Sequence, residues 1–212
     1  MPRPFVPFSA LLLLALAALI LHPAAPVLAQ PASAVAKRDY NRALRAEKAG
    51  DMDAAKGYWQ AADEGWSGWL DGRDLASGLL TDRLVMAGIS FYKNGHPEAA
   101  LPLLDQARKQ DPYRFEPYVF GGLARAALGQ KDAALEAWNA APSIAVDKKL
   151  APALVWARQD LAAGRVSLAD AARTIEDKCR ELTDEIMVTD KKVDPWAGKK
   201  DSFKWGGGAW GQ

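Results

Sequence analysis

Small and large apolar residues recur at fixed intervals through the middle of the chain. Each copy begins with a glycine, followed four and five residues later by alanines, nine residues later by a large apolar residue, and twelve residues later by another alanine. The copies are Gly50-Ala54-Ala55-Trp59-Ala62, Gly95-Ala99-Ala100-Leu104-Ala107 and Gly129-Ala133-Ala134-Trp138-Ala141. Spacings of three and four residues place side chains on one face of an α-helix. Because the sequence lacks sustained alternation of β-branched residues, the pattern predicts helices rather than strands.

The offset between copies indicates the repeating unit. The second and third copies lie 34 residues apart, and Gly88 and Gly122 keep the same offset upstream, whereas the first copy precedes the second by 45 residues. The glycine that opens each copy predicts the end of one helix, because the following turn needs a residue that tolerates positive φ. Asp51, Asp53 and Asp132 then lie where a second helix begins and favour its positive end. The unit is therefore predicted to be a helical hairpin.

These residues resemble the tetratricopeptide repeat family. The resemblance rests on the 34-residue offset, the paired small residues that let helices approach closely, and the large residue that fills the gap between hairpins. Pro112, which closes the second copy, also fits. The resemblance implies an all-α right-handed superhelix: a solenoid of about three hairpins followed by a cap. Sel1-like repeats are a related second choice, because Ala61-Ala62-Asp63-Glu64-Gly65 is similar to the end of their helix.

The sequence is predicted to comprise four parts. These are a signal peptide at 1–29, repeats within 30–148, a degenerate capping hairpin at 149–188 and a Gly/Lys/Trp-rich tail at 189–212. The repeats are placed at about 36–69, 81–114 and 115–148. Two residues depart from the family pattern: Arg125 replaces the usual aromatic residue, and Pro102 lies inside a predicted helix, where it removes a hydrogen bond.

The extra residues between the first two copies, 65–81, have two interpretations. The segment contains Trp66, Trp69 and Leu70. In one interpretation it extends a loop and then lengthens the next helix from about Arg73. In the other it is a tolerated loop insertion.

Residues 149–188 are predicted to form the helical cap that a solenoid needs to cover its last apolar face. Pro152 can open a helix that runs to about Ala163 and is closed by Gly164. Ser167 and Asp170 match a capping box before the next helix. The apolar stripe of that helix is Leu168, Ala171, Ala172, Ile175, Cys179, Leu182 and Ile186.

The two ends of the chain have distinctive compositions. Arg3, the apolar run from Phe8 to Leu21 and small residues ahead of Gln30 are typical of a cleaved export signal; an uncleaved membrane anchor is the alternative. Export, with a periplasmic location, is therefore expected, without membrane insertion after cleavage. The tail combines glycines and lysines with tryptophans, so it is predicted to be a flexible docking segment or, alternatively, part of the cap. Its tryptophans are Trp196, Trp205 and Trp210.

Candidate chemistry is sparse. The net charge is +1, which does not favour a nucleic-acid partner. His96 is predicted to face solvent in a turn, and Cys179, the single cysteine, is predicted to be a buried structural residue because it lies on an apolar stripe. Helix capping accounts for Asp51 and Asp53. We therefore expect no catalytic residues, metal site or cofactor, and a protein that is not an enzyme.

The resemblance implies a concave groove lined by the first helix of each hairpin. The expected groove residues are Tyr40, Leu44, Val85, Ile89, Tyr92, Val119 and Leu123. Most are apolar and do not match the family's carboxylate clamp, so a hydrophobic helix or extended peptide is the expected ligand. Alternatively, these residues pack against each other or against the terminal helix.

The expected function is a non-enzymatic scaffold or adaptor for protein–protein interaction in the bacterial envelope. Two alternatives remain at this stage. One is a permanent structural subunit of an envelope or exported enzyme complex, and the other is an envelope enzyme with a helical accessory domain.

Overall fold

The structure, a computed structural model, describes residues 32–75, 79–141 and 150–182. These residues form eight α-helices and no strand, which confirms the all-helical prediction for this part of the chain. The helices are α1 (Ala32–Ala49), α2 (Met52–Leu70), α3 (Thr81–Lys93), α4 (Pro97–Gln110), α5 (Glu116–Ala127), α6 (Lys131–Asn139), α7 (Leu150–Ala162) and α8 (Leu168–Glu181).

Consecutive helices pack as hairpin-like pairs. The pairs are α1 with α2, α3 with α4, α5 with α6, and α7 with α8. The first helices of the pairs also meet, since α3 contacts both α1 and α5. The buried apolar side chains of all eight helices belong to one cluster, so the four pairs share a continuous core.

The predicted turns and caps are present. Gly50, Gly95 and Gly129 have φ angles of +78°, +85° and +72°, the left-handed conformation that glycine adopts without a steric penalty. The Asp51 carboxylate accepts a hydrogen bond from the backbone N–H of Ala54 at 3.0 Å and caps α2. At α8, the Ser167 hydroxyl oxygen accepts from the backbone N–H of Asp170 at 3.1 Å.

The recurring small and large residues meet within their hairpins. A Cβ added to Gly88 would lie 2.7 Å from Cγ of Leu104, and one added to Gly122 would lie 2.1 Å from Nε1 of Trp138. Both distances are shorter than atoms tolerate, so each glycine makes room for the large side chain of its own repeat. The 34-residue offset thus corresponds to a repeated packing contact.

The segment between the first two copies adds turns to the end of α2, whereas the sequence predicted that it lengthens the start of the following helix. It lengthens α2, which continues to Leu70, whereas α3 begins only at Thr81, so the predicted start near Arg73 is wrong. The reason is packing: Trp66 and Trp69 are buried and meet edge to face, with ring centroids 5.6 Å apart. Their apolar area stabilises two further turns of α2.

The two residues that depart from the family pattern are accommodated locally. Helix α4 continues through Pro102 to Gln110. Arg125 donates from Nη2 to both carboxylate oxygens of Asp105 at 3.1 Å, and its Nη1 bonds the Gly121 carbonyl. An ion pair with the preceding hairpin therefore replaces an aromatic contact.

Helix α8 crosses the first helices of the repeats. It contacts α1 and α5 as well as its hairpin partner α7. Its buried residues are Ala171, Ile175 and Cys179, and Leu182, which directly follows the helix, is buried as well. All four belong to the predicted stripe; Ile186 lies outside the described residues. Within the described ranges no helix is long and apolar enough to span a bilayer. The predicted signal peptide and the tail lie outside those ranges.

Candidate functional site

The predicted groove residues lie together on α1, α3 and α5, a surface that we call the inner face. Its members are Tyr40, Leu44, Val85, Ile89, Tyr92, Val119 and Leu123. Six of them are at most 3% exposed, and Tyr92 is half-buried. These side chains are therefore buried or half-buried, and their role in binding a partner stays a prediction.

Helix α8 lies close to two aromatic residues of the inner face. Burial, followed by the charge of Glu176 on α8, raises the pKa of Tyr92. Burial also raises the pKa of Tyr40 on α1, where the Cys179 thiol contributes in the same direction. Two aromatic residues of the inner face are thus close to the charged edge and the apolar stripe of one helix.

A buried ionic network fastens α8 to the inner face. Lys93 Nζ, on α3, donates to Glu176 Oε1 of α8 at 2.7 Å and to Glu47 Oε2 of α1 at 3.1 Å. Trp59 Nε1, on α2, donates to the other oxygen of Glu47 at 2.8 Å. The Lys93 and Glu47 side chains are only 7% and 6% exposed. Lys93 therefore joins α1, α3 and α8 directly, and Trp59 of α2 joins the network through Glu47.

Electrostatics keep this lysine charged. Burial alone would lower the pKa of Lys93, but the carboxylates of Glu176 and Glu47 outweigh burial and raise it. A cavity of about 290 Å³ lies beside the network, lined in part by Trp59, Lys93 and Arg180. Sequence reasoning missed Glu47 and Glu176, because a charged residue on a helix is ordinarily solvated. Their spacing carries no sign of the distant lysine.

Cys179 is buried at 3% exposure, as predicted. Burial raises the pKa of its thiol to about 12, with Lys93 acting against the shift and Glu176 adding to it. The thiolate is the nucleophilic form of cysteine. Near neutral pH the thiol stays protonated and serves as a packing group of the α8 stripe.

A second polar cluster surrounds Asp63 on α2. Its Oδ2 lies 2.6 Å from His96 Nδ1 and accepts a hydrogen bond from Asn94 Nδ2 at 2.7 Å, and its Oδ1 accepts from the Ser67 hydroxyl at 3.2 Å. The His96 side chain is 57% exposed, so it faces solvent as predicted, but it also makes this contact that the sequence did not indicate.

The Asp63 cluster contains the residue types of a hydrolytic triad but not its geometry. Ser67 donates to Asp63 rather than to His96, so the imidazole does not activate the hydroxyl. The cluster instead ties α2 to the turn between α3 and α4. In the described part of the chain, no three His, Cys, Asp or Glu side chains converge as they would around a metal ion. Trp196, Trp205 and Trp210 lie outside the described residues.

Comparisons with known proteins add no relative. No protein-family model, no curated protein and no solved structure matches this chain.

Proposed function

We propose that this protein is a non-enzymatic interaction scaffold of the bacterial envelope, built as a tetratricopeptide-like superhelix, and that its inner face binds an amphipathic helix of a partner protein. One observation supports the proposal above others. The inner face already packs against an amphipathic helix, α8, which lies far along the chain from α1 and α3. A surface that accepts one such helix has the shape and chemistry for another.

The contacts of α8 define what a partner helix would need. The buried residues of α8 and of its C-terminal cap, Ala171, Ile175, Cys179 and Leu182, follow spacings of four, four and three, with an acidic residue, Glu176, beside Lys93. Small and medium side chains at these positions suit close approach to the tyrosines of α1 and α3. A competing helix therefore has small or aliphatic residues at this spacing and a carboxylate placed for Lys93.

Helix α8 also has features of an exchangeable occupant. Its buried apolar side chains are few, and hydrophobic burial contributes roughly 25 cal/mol per Å². Its attachment to α3 also includes the ion pair of Glu176 with Lys93, which a partner carboxylate would reproduce. Displacement of α8 by a partner helix would thus replace its contacts with similar ones. The partner helix would cover most of the inner face that the displacement exposes.

Export is the second part of the proposal. The sequence at 1–29 supports it, and cleavage is expected ahead of Gln30. Intact-mass measurement of the protein from the envelope fraction checks this, since retention of residues 1–29 in the membrane fraction would contradict it.

Site-specific photo-crosslinking tests the inner face in cells. A photoreactive phenylalanine analogue replaces Tyr92, which is half-buried beside α8, and in a matched control it replaces Tyr113, which is 70% exposed. We expect a discrete crosslinked partner from position 92 and little from position 113. Introducing Glu176→Gln should raise the yield at position 92, because it weakens one ion pair of α8. Crosslinks from position 92 to the protein's own α8 alone, in both backgrounds, would contradict partner binding at this face.

A further inference from the structure

An open cavity of about 750 Å³ lies between α1, the end of α2 and the start of α3, away from the Lys93 network. We call it the basic pocket. Its wall contains five cationic side chains and one carboxylate, that of Asp82. The cations are Lys37, Arg38, Arg42, Arg45 and Arg83. Asp82 is itself paired with Arg114, so it offsets little of the positive charge. The pocket therefore concentrates positive charge on a protein whose net charge is only +1.

Neighbouring groups hold several of these cations in place. Arg38 Nε and Arg42 Nη1 both lie 3.2 Å from Oδ1 of Asp39. The guanidinium of Arg83 lies 5.4 Å from the ring centroid of Trp69. Stacking and pairing of this kind order an arginine before a ligand arrives and leave its planar N–H groups suited to carboxylates.

Two buried polar atoms of residues that line the basic pocket also lack hydrogen bonds. Trp66 Nε1, a donor, and Asn41 Oδ1, an acceptor, have no partner among the residues that the structure describes. A buried polar group without a partner is destabilising, and a ligand that satisfies it gains affinity. A peptide backbone offers both the acceptor and the donor that these two atoms lack.

The shape and the apolar part of the pocket agree with a peptide. The cations of α1 extend from position 37 to position 45, about 12 Å at 1.5 Å per helical residue, which matches an extended segment rather than a compact anion. Leu80 lies at the rim with 60% exposure, and Met86 lies below it with 2%. These two side chains suit an aliphatic residue of the ligand.

We propose that the basic pocket binds an acidic, extended peptide segment of a partner protein, with its carboxylates on the α1 arginines and an aliphatic side chain on Leu80. This site goes beyond the proposed helix-binding function, because it uses a different surface and needs no displacement of α8. The two proposals therefore fail separately: loss of crosslinking at position 92 says nothing about peptide binding to the purified chain.

The test uses the full chain and a fluorescein-labelled octapeptide of alternating glutamate and leucine. The pocket variant is Arg38→Glu/Arg45→Glu, in which Asp39 keeps Arg42. The matched control, Lys109→Glu/Lys131→Glu, has the same change in charge on α4 and α6, outside the pocket. All four positions are exposed, and circular dichroism verifies that both variants fold. We expect fluorescence anisotropy to report binding that the pocket variant weakens at least about tenfold and the control little changes.

Further arms separate the peptide from other anions. Leu80→Ser should weaken binding of the same peptide about threefold to tenfold, since it removes an exposed apolar contact without disturbing the core. An octapeptide of glutamine and leucine should not bind. Equal weakening by the pocket and control variants would overturn the proposal. So would binding of pyrophosphate or phosphatidylglycerol vesicles under conditions in which the acidic peptide does not bind.

Discussion

Individual glycines and tryptophans determine how closely the helices of a repeat approach. Gly122 and Trp138 occupy one such contact, and Gly88 and Leu104 occupy the equivalent contact one repeat earlier. The large residue also has a polar role, because Trp138 Nε1 donates to the Val119 carbonyl at 3.2 Å. Gly88 and Gly122 are therefore constrained by the space they must leave, Leu104 by the volume it supplies, and Trp138 by both its volume and its hydrogen bond.

Adding a methyl group at the close contact should be destabilising. Gly122→Ala would bring Cβ against the Trp138 indole, so we expect a loss of about 1–3 kcal/mol in the free energy of unfolding. The matched control is Gly68→Ala on α2, where an added Cβ meets no atom within 4 Å. There the higher helix propensity of alanine should raise stability by about 0.5–1 kcal/mol. Urea unfolding measures both, and equal effects at the two positions would contradict the packing argument.

Truncation of the first-repeat tryptophan should be more costly. Trp59→Ala removes a side chain that is 3% exposed and leaves the buried Glu47 carboxylate without one of its donors. We expect a loss of about 3–5 kcal/mol. Trp156→Ala, at a site that is 38% exposed, should change stability by less than about 0.5 kcal/mol. Thermal unfolding distinguishes the two, and a small effect at Trp59 would mean that the core adjusts around the cavity.

At the scale of elements, an ion pair contributes to the attachment of α8. This helix is joined to α3 through Lys93 and Glu176, and to α1 through the same lysine and Glu47. Its own local signals, the Ser167 cap and the amphipathic stripe, explain why it is helical but not where it lies. The ion pairs supply a specific position along the inner face.

Removing the charge of Lys93 should loosen α8. Lys93→Met keeps most of the volume but leaves two partly or fully buried carboxylates facing each other, at a cost of about 3–5 kcal/mol. Hydrogen exchange should then accelerate in α8 more than in α4. Lys178→Met, which removes an exposed ion pair on the same helix, should have little effect. Restored protection in the triple variant Glu47→Gln/Lys93→Met/Glu176→Gln would verify the cause, whereas unchanged exchange in Lys93→Met would contradict it.

At the scale of the whole molecule, several buried titratable groups share one response to pH. The pKa values of Tyr40, Tyr92, Cys179 and Lys93 are all raised in the folded protein. A raised pKa means that the folded state holds its proton at a pH where the unfolded chain has released it. The free energy of unfolding is therefore highest below the unfolded pKa values and falls as the pH rises towards the folded ones.

Alkaline titration should show the loss of stability in two stages. Loss of stability should begin near pH 8.5, the ordinary pKa of a cysteine, and steepen near pH 10, where tyrosine and lysine titrate in the unfolded chain. Each group contributes at most about 1.4 kcal/mol per pH unit. Cys179→Ala should delay the onset to about pH 10. Urea midpoints measured between neutral and alkaline pH check both statements, and a midpoint that stays flat through this range would contradict the buried environment of these groups.

Local sequence determined the helices, their turns and the faces they bury. These local features are the positive φ of Gly50, Gly95 and Gly129, the caps at Asp51 and Ser167, and the close contacts of the repeated glycines. All of them follow from interactions within about a dozen or two dozen residues, and such interactions give a periodic pattern in the sequence.

Only the tertiary structure decided which distant element meets each face. Whether Trp66 and Trp69 extend α2 or lie in a loop depends on the surface available to bury them. The periodicity of the sequence does not indicate that surface. The pairing of Lys93 with Glu47 and Glu176, the contact of His96 with Asp63 and the convergence of α1, α2 and α3 at the basic pocket join residues tens of positions apart. Such contacts arise from the shape of the whole core. The sequence pattern around a charged residue on a helix is the same whether that residue faces water or forms a buried ion pair.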